Sequence, residues 1–105
     1  MFNMLVTGIP RAGTTLAASL LDGEKDTVCL NEPEWQRPHS ALDAKGFALA
    51  IREDFAEVRQ KLLRGEPVPD RRAEDGSALT NYYDPGTNKN FVIYPLVREG
   101  LSPNF

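Results

Sequence analysis

Several common signatures are missing from this sequence, and each absence narrows what the chain can be. It has one cysteine, which cannot close an internal disulfide, so a reducing, cytoplasmic setting is the simplest expectation. One histidine beside that cysteine makes no ligand cluster, so metal-independent chemistry is expected. Charge of one sign is lacking too. Twelve Lys+Arg against 15 Asp+Glu give a formal charge of -3, which is no footprint for nucleic acid or an anionic membrane. No apolar run approaches the roughly 20 residues that span a bilayer. The opening Met1-Phe2-Asn3-Met4-Leu5-Val6 has no basic leader of the kind a secretory signal carries. There is no internal repeat and no low-complexity tract. A soluble, globular protein is expected, and any anion it binds must be held by a local site.

The 105 residues suit one small domain, spanning 1–105. Phe2 to Thr7 is a short apolar run bounded by Gly8 and Pro10, a pattern that favours a buried strand over a helix. From Thr14 the period changes, with Leu16, Ala17, Leu20 and Leu21 at helical spacing and a stop near Asp22-Gly23. Thr27 to Leu30 is again β-prone, and Pro33 ends it. Strand, glycine loop, helix, strand is the first βαβ unit of a parallel sheet, so the expected class is α/β. Farther on, Phe47, Ile51, Phe55, Val58 and Leu62 mark one face of a packing helix. Asp43 is placed to cap its start and Gly65 its end. Residues 66–78 carry two prolines and six charges and read as a surface connection. Leu79–Tyr83 and Phe91–Tyr94 read as a β-hairpin around Asp84-Pro85-Gly86-Thr87-Asn88.

The chemistry is concentrated in Gly8-Ile9-Pro10-Arg11-Ala12-Gly13-Thr14-Thr15, between the first strand and the first helix. Gly-x-x-x-x-Gly-x-[Ser/Thr] is the spacing of a phosphate-binding loop. Glycines let the backbone curl with its N–H groups inward, and the following helix adds the positive end of its dipole. The hydroxyls of Thr14 and Thr15 can donate further hydrogen bonds to an oxyanion. A triphosphatase needs lysine after the second glycine. Here Thr14 stands there, and the cation is Arg11 within the loop. The competing reading, a plain turn with a solvated Arg11, leaves the order of strand, glycines, cation, hydroxyls and helix unexplained.

These residues resemble the 5′-phosphosulfate-binding loop of sulfotransferases that use 3′-phosphoadenosine 5′-phosphosulfate (PAPS). The form Pro10-Arg11-Ala12-Gly13-Thr14-Thr15-Leu16 is most similar to that of the tyrosylprotein sulfotransferases and related bacterial enzymes. The likeness runs through Leu21-Asp22 to Cys29-Leu30-Asn31-Glu32, where Glu32 follows Cys29 by three residues and Arg11 by 21, the intervals of that branch. The resemblance implies a three-layer P-loop fold with a parallel sheet, of which this chain is the N-terminal portion. It also implies that Gly8, Pro10, Arg11, Ala12, Gly13, Thr14 and Thr15 hold the PAPS cosubstrate, with Arg11 and Glu32 acting together in catalysis. Independently, both segments would follow the carboxyl ends of adjacent parallel strands, the edge at which open α/β sheets bind ligands.

Other candidates are weaker. Cys29 has no histidine beside it in sequence and reads as a small core residue. His39, between Pro38 and Ser40, reads as a loop residue. Trp35 and Arg37 follow Glu32 closely enough to line an acceptor pocket or to stand exposed. Arg98 after Phe91-Val92-Ile93-Tyr94 weakly resembles the family's 3′-phosphate motif, but Gly100 departs from it and no role is carried over. The expected partner is a small hydroxyl-bearing acceptor, without nucleic acid or membrane. The domain reads as incomplete, to be completed by a C-terminal half or a second chain. Two other readings stay open. One is a different P-loop nucleotide- or phosphate-binding protein, kinase-like in its substrate, and the other is a non-catalytic module with half a cofactor site.

Overall fold

A computed structural model describes residues 3–5, 14–22, 24–31, 39, 41–78 and 91–105, apart from the side chains of Thr14, Thr15 and Phe91. Its elements are α1 (Thr14–Asp22), α2 (Ala44–Leu63), β1 (Val68–Ala73) and β2 (Phe91–Leu96), with β1 and β2 antiparallel. The described part is thus a small mixed α/β unit with two helices and a two-stranded antiparallel sheet. Neither of the two helices is long and apolar enough to cross a membrane.

The longest helix follows the plainest sequence pattern. In α2, Ile51 and Leu62 are buried and Phe47, Phe55 and Val58 are half-buried, while Arg52, Glu53 and Glu57 are exposed. Asp43 caps the start, its Oδ1 accepting the Gly46 N–H at 2.7 Å. The end closes as a Schellman motif. Gly65 N–H reaches Leu62 O at 3.0 Å and Glu66 N–H reaches Lys61 O at 2.9 Å, with Gly65 at φ 70°. That left-handed turn aims the chain directly into β1.

β1 overturns the reading of residues 66–78 as a surface connection. Val68, Asp70, Arg72 and Ala73 are buried, whereas Pro69 is exposed. The composition misled because the strand alternates. Val68, Asp70 and Arg72 share the inner face, and Pro69 and Arg71 take the other, as period-two geometry requires. The expected strand at Phe91–Tyr94 forms and extends to Leu96. Its described partner is β1, with Val68 opposite Leu96, Asp70 opposite Tyr94 and Arg72 opposite Val92. Residues 79–90, including the other expected hairpin arm, lie outside the described residues.

Leu62, Val68 and Leu96 form the core, with Val28, Leu30, Val58, Leu101 and Phe105 packed against it. The final residues close on α2: Arg59 Nε donates to Phe105 O at 2.8 Å and its guanidinium stands 5.0 Å above the Phe105 ring. Asn3 Oδ1 accepts from Arg59 Nη1 at 2.6 Å. Thr27–Leu30 packs into the core side by side with these elements but joins no ladder, and Asn3–Leu5 joins none either. The parallel pair expected of these two segments is therefore not seen among the described residues. Helix α1 covers its expected range, yet Leu16 and Leu20 are 48% and 69% exposed, and the buried end is Asp22.

The two ends of α2 can be tested separately. Asp43→Ala is expected to lower stability by about 1 kcal/mol through loss of the cap. Gly65→Ala should cost about 1–2 kcal/mol, because a Cβ is strained at positive φ even though nothing crowds that position. Urea unfolding followed by circular dichroism measures both.

Candidate functional site

Of the sequence-predicted site residues, Gly8, Pro10, Arg11, Ala12, Gly13 and Glu32 lie outside the described residues, as do Trp35 and Arg37. Thr14 and Thr15 form the first turn of α1, so the helix opens directly behind the second glycine of the loop. The described geometry begins at the other end of that helix.

There, Arg72 joins two carboxylates. Its Nη2 donates to Asp22 Oδ2 at 2.8 Å and its Nε to Asp70 Oδ2 at 2.8 Å. A third donor, Nη1, reaches Gly76 O at 3.1 Å. Arg72 is 5% exposed and Asp70 2%, so these charges are almost wholly removed from water. A planar guanidinium can serve several acceptors along fixed directions at once, which lysine cannot. Gly76 lets the turn approach: at φ 82°, a Cβ on it would meet Tyr94 Cζ at 2.7 Å. Arg98 adds a second cation to Asp22, its Nη2 donating to Oδ1 at 2.8 Å and to the Asp22 backbone carbonyl at 2.7 Å.

The carboxylates in turn hold the chain that leads to Glu32. Asp22 Oδ1 accepts the Cys29 N–H at 3.3 Å, and Asp70 Oδ1 accepts the Asn31 N–H at 2.6 Å. Two backbone donors spaced two residues apart thus bond to side-chain oxygens where a neighbouring strand would offer carbonyls. This is why the β-prone Thr27–Leu30 segment needs no ladder on that edge. Asp70 Oδ1 also accepts the Arg71 N–H at 2.9 Å. Asn31 lines a hollow, on the scale of a single water molecule, with Ala18, Ser19, Asp22, Cys29, Asp70, Arg71, Arg72 and Ala78. The Asn31 Nδ2 there is buried and has no hydrogen-bond partner.

Protonation follows from these contacts. Burial works to raise the Asp22 carboxyl, but hydrogen bonds from Arg72 and Arg98, with Arg72's charge and the Cys29 N–H, overcome it and hold the group below its ordinary value. At Asp70 burial wins, and the carboxyl is raised despite Asn31, Arg72 and Arg71. Arg72 is raised: burial opposes its charge, and the two aspartates more than compensate. Cys29 is raised by burial and then by the negative charge of Asp22 and Asp70. A thiol kept protonated is a poor nucleophile, in keeping with its reading as a packing residue.

The sequence reading gave no role to Asp22, Asp70 or Arg72. A signal was available: in Val68-Pro69-Asp70-Arg71-Arg72, opposite charges two apart fall on one face of a strand. The reading of 66–78 as a loop hid it. His39 also has a fixed contact, its Nε2 standing 2.6 Å from Asp54 Oδ2 of α2. Among the described residues, no three His, Cys, Asp or Glu side chains converge as metal ligands.

Removing one member of a buried ion cluster leaves an uncompensated charge. Arg72→Met, which strands the buried Asp70 carboxylate and leaves Asp22 to Arg98 alone, is expected to cost about 3–5 kcal/mol in urea unfolding. The two aspartates respond oppositely to pH. The lowered Asp22 value contributes stability that is present above the ordinary 3.8 and lost as pH falls through the folded value. The raised Asp70 value has the reverse sign: its ionisation costs stability as pH rises through the folded value. At pH about 7, Asp22→Asn should therefore destabilise more than Asp70→Asn, with the gap narrowing in acid. Unfolding midpoints across the acid range check this.

No protein-family model, curated protein or solved structure matches this chain.

Proposed function

We propose that this chain transfers a sulfuryl group from 3′-phosphoadenosine 5′-phosphosulfate to an acceptor hydroxyl. The observation that carries the reading is the Gly8–Thr15 loop with α1 opening at Thr14, immediately behind its second glycine. Helix N-terminal N–H groups and a glycine-rich turn make an anion site. Arg11 in place of the usual lysine, and Thr14 after Gly13, suit a sulfonucleotide better than a metal-bound triphosphate. A second feature supports Glu32. The chain leading to it is fastened to the end of α1, and Asn31 shares a hollow with Ala18 and Ser19, a turn nearer the loop than Asp22.

In the proposed reaction the acceptor oxygen attacks sulfur in line with the departing phosphate. The new S–O bond forms as the bridging S–O bond breaks, and the acceptor proton passes to the Glu32 carboxylate. Such a base must reach the hydroxyl before any tuning of its pKa matters. Charge develops on the bridging oxygen and remains on the 5′-phosphate of the leaving nucleotide. Arg11 and the loop N–H groups, with Thr14 and Thr15, stabilise it there, which is where fixed donors contribute most. The products are a sulfate ester and 3′-phosphoadenosine 5′-phosphate. No metal is assigned to the step, since a sulfuryl group carries less charge than a phosphoryl group. The acceptor is a small hydroxyl compound and the setting cytoplasmic. The finer fold that goes with this reading is a P-loop domain whose parallel sheet starts from the Phe2–Thr7 and Thr27–Leu30 segments.

Glu32→Gln should reduce transfer by about 10²–10⁴-fold while sulfonucleotide binding persists. Arg11→Ala should weaken binding and transfer together. Transfer assays with labelled cosubstrate and titration calorimetry measure these. Preferential, magnesium-dependent binding of ATP would replace the proposal with a kinase-like P-loop protein. Sulfonucleotide binding without transfer would make the chain a non-catalytic module.

A further inference from the structure

Glu32 is joined to Asn31 by a single peptide bond, and the position of Asn31 is set by Asp70. We propose that Asp70 is a positioning residue for the reaction: by accepting the Asn31 N–H at 2.6 Å, it fixes the Leu30–Asn31 peptide, one residue before Glu32. This inference rests on the sulfuryl-transfer reading of Glu32.

The Asp70 carboxylate is itself immobilised. Oδ1 takes the Asn31 and Arg71 N–H groups, and Oδ2 takes Arg72 Nε at 2.8 Å. Arg72 continues to Asp22 Oδ2 at 2.8 Å, at the end of α1. Asn31 is therefore tied through three side chains to the helix whose first residue follows the anion loop. β1 supplies two of the three, Asp70 and Arg72, on one face and two residues apart. A tie of this kind fixes Asn31 relative to α1, and displacement of a reacting group by about 1 Å can cost about 100-fold in rate.

Two acceptor oxygens as well as shape are required. In Asp70→Asn the amide has one oxygen for donors on two sides. Turned towards Asn31 and Arg71, it sets its NH2 against the Arg72 guanidinium, and turned the other way it sets NH2 against two backbone N–H groups. Either choice breaks the tie with almost no change in volume. An isolated structural ion pair would have no reason to act on the turnover number alone.

The test compares wild-type protein with Asp70→Asn for kcat and KM, using the sulfonucleotide and a phenolic acceptor. The expected result is a fall in kcat of about 100-fold with KM for the sulfonucleotide within about twofold. Amide hydrogen exchange should quicken across residues 29–35 and stay unchanged across α2. Should Asp70→Asn fail to fold, Asp70→Glu keeps the charge for Arg72 but shifts the oxygen from Asn31 by one methylene, and the same readings apply. A kcat within about threefold of wild type, alongside active wild-type protein, overturns the positioning role and leaves the proposed function standing. Wild-type protein without transfer overturns the proposed function, and this inference with it.

Discussion

A buried arginine between two aspartates holds this structure together. Arg72 bonds to Asp22, on the first helix, and to Asp70, on its own strand, and all three are removed from water. Taking such charges out of water costs several kcal/mol per ion, so the cluster is weak support for stability in itself. What it supplies is specificity of position. The carboxylates offer oxygens in fixed directions, and among the described residues the backbone donors that they take outside β1 are those of Cys29 and Asn31. Three chain segments with no ladder between them are thereby held in one register. An apolar replacement of the same volume would fill the space and leave those two N–H groups without acceptors.

The core is slight beside this. Leu62, Val68 and Leu96 are buried together, with partly buried side chains around them, as expected of a chain whose surface is large for its volume. Arg59, held by Asn3, the Phe105 carbonyl and the Phe105 ring, extends the same principle. Among the described residues, Arg59, Arg72 and Arg98 each reach more than one acceptor, with partners far away in sequence. They suit that task because five donors lie in one plane on an apolar stem.

What was legible in the sequence was local. The period of Phe47, Ile51, Phe55, Val58 and Leu62 specified a helix, and Asp43 and Gly65 marked its ends within a residue or two of where they fall. Phe91–Tyr94 was legible as a strand from its β-prone residues. The strand from Val68 to Ala73 was not, because prolines and charges usually mark loops. Here both prolines of the sheet, Pro69 and Pro95, stand opposite each other on its exposed face, and Arg72 pairs with Asp22, a residue 50 positions away. No local pattern carries that distance. Helix α1 was legible in extent, but the burial of Asp22 at its end, with Leu16 and Leu20 exposed, was not. The loop residues from Gly8 to Gly13 and Glu32 rest on their spacing and on the elements that flank them.

Loop and base have to meet at one place for the proposed chemistry. The direct measurement is a map of backbone amide shifts on titration with 3′-phosphoadenosine 5′-phosphate, the leaving nucleotide. Shifts concentrated at Gly8–Thr15 and at Asn31–Glu32, abolished by Arg11→Ala, are the expected result. Absence of shifts at the loop at millimolar nucleotide, or shifts confined to other segments, would contradict it.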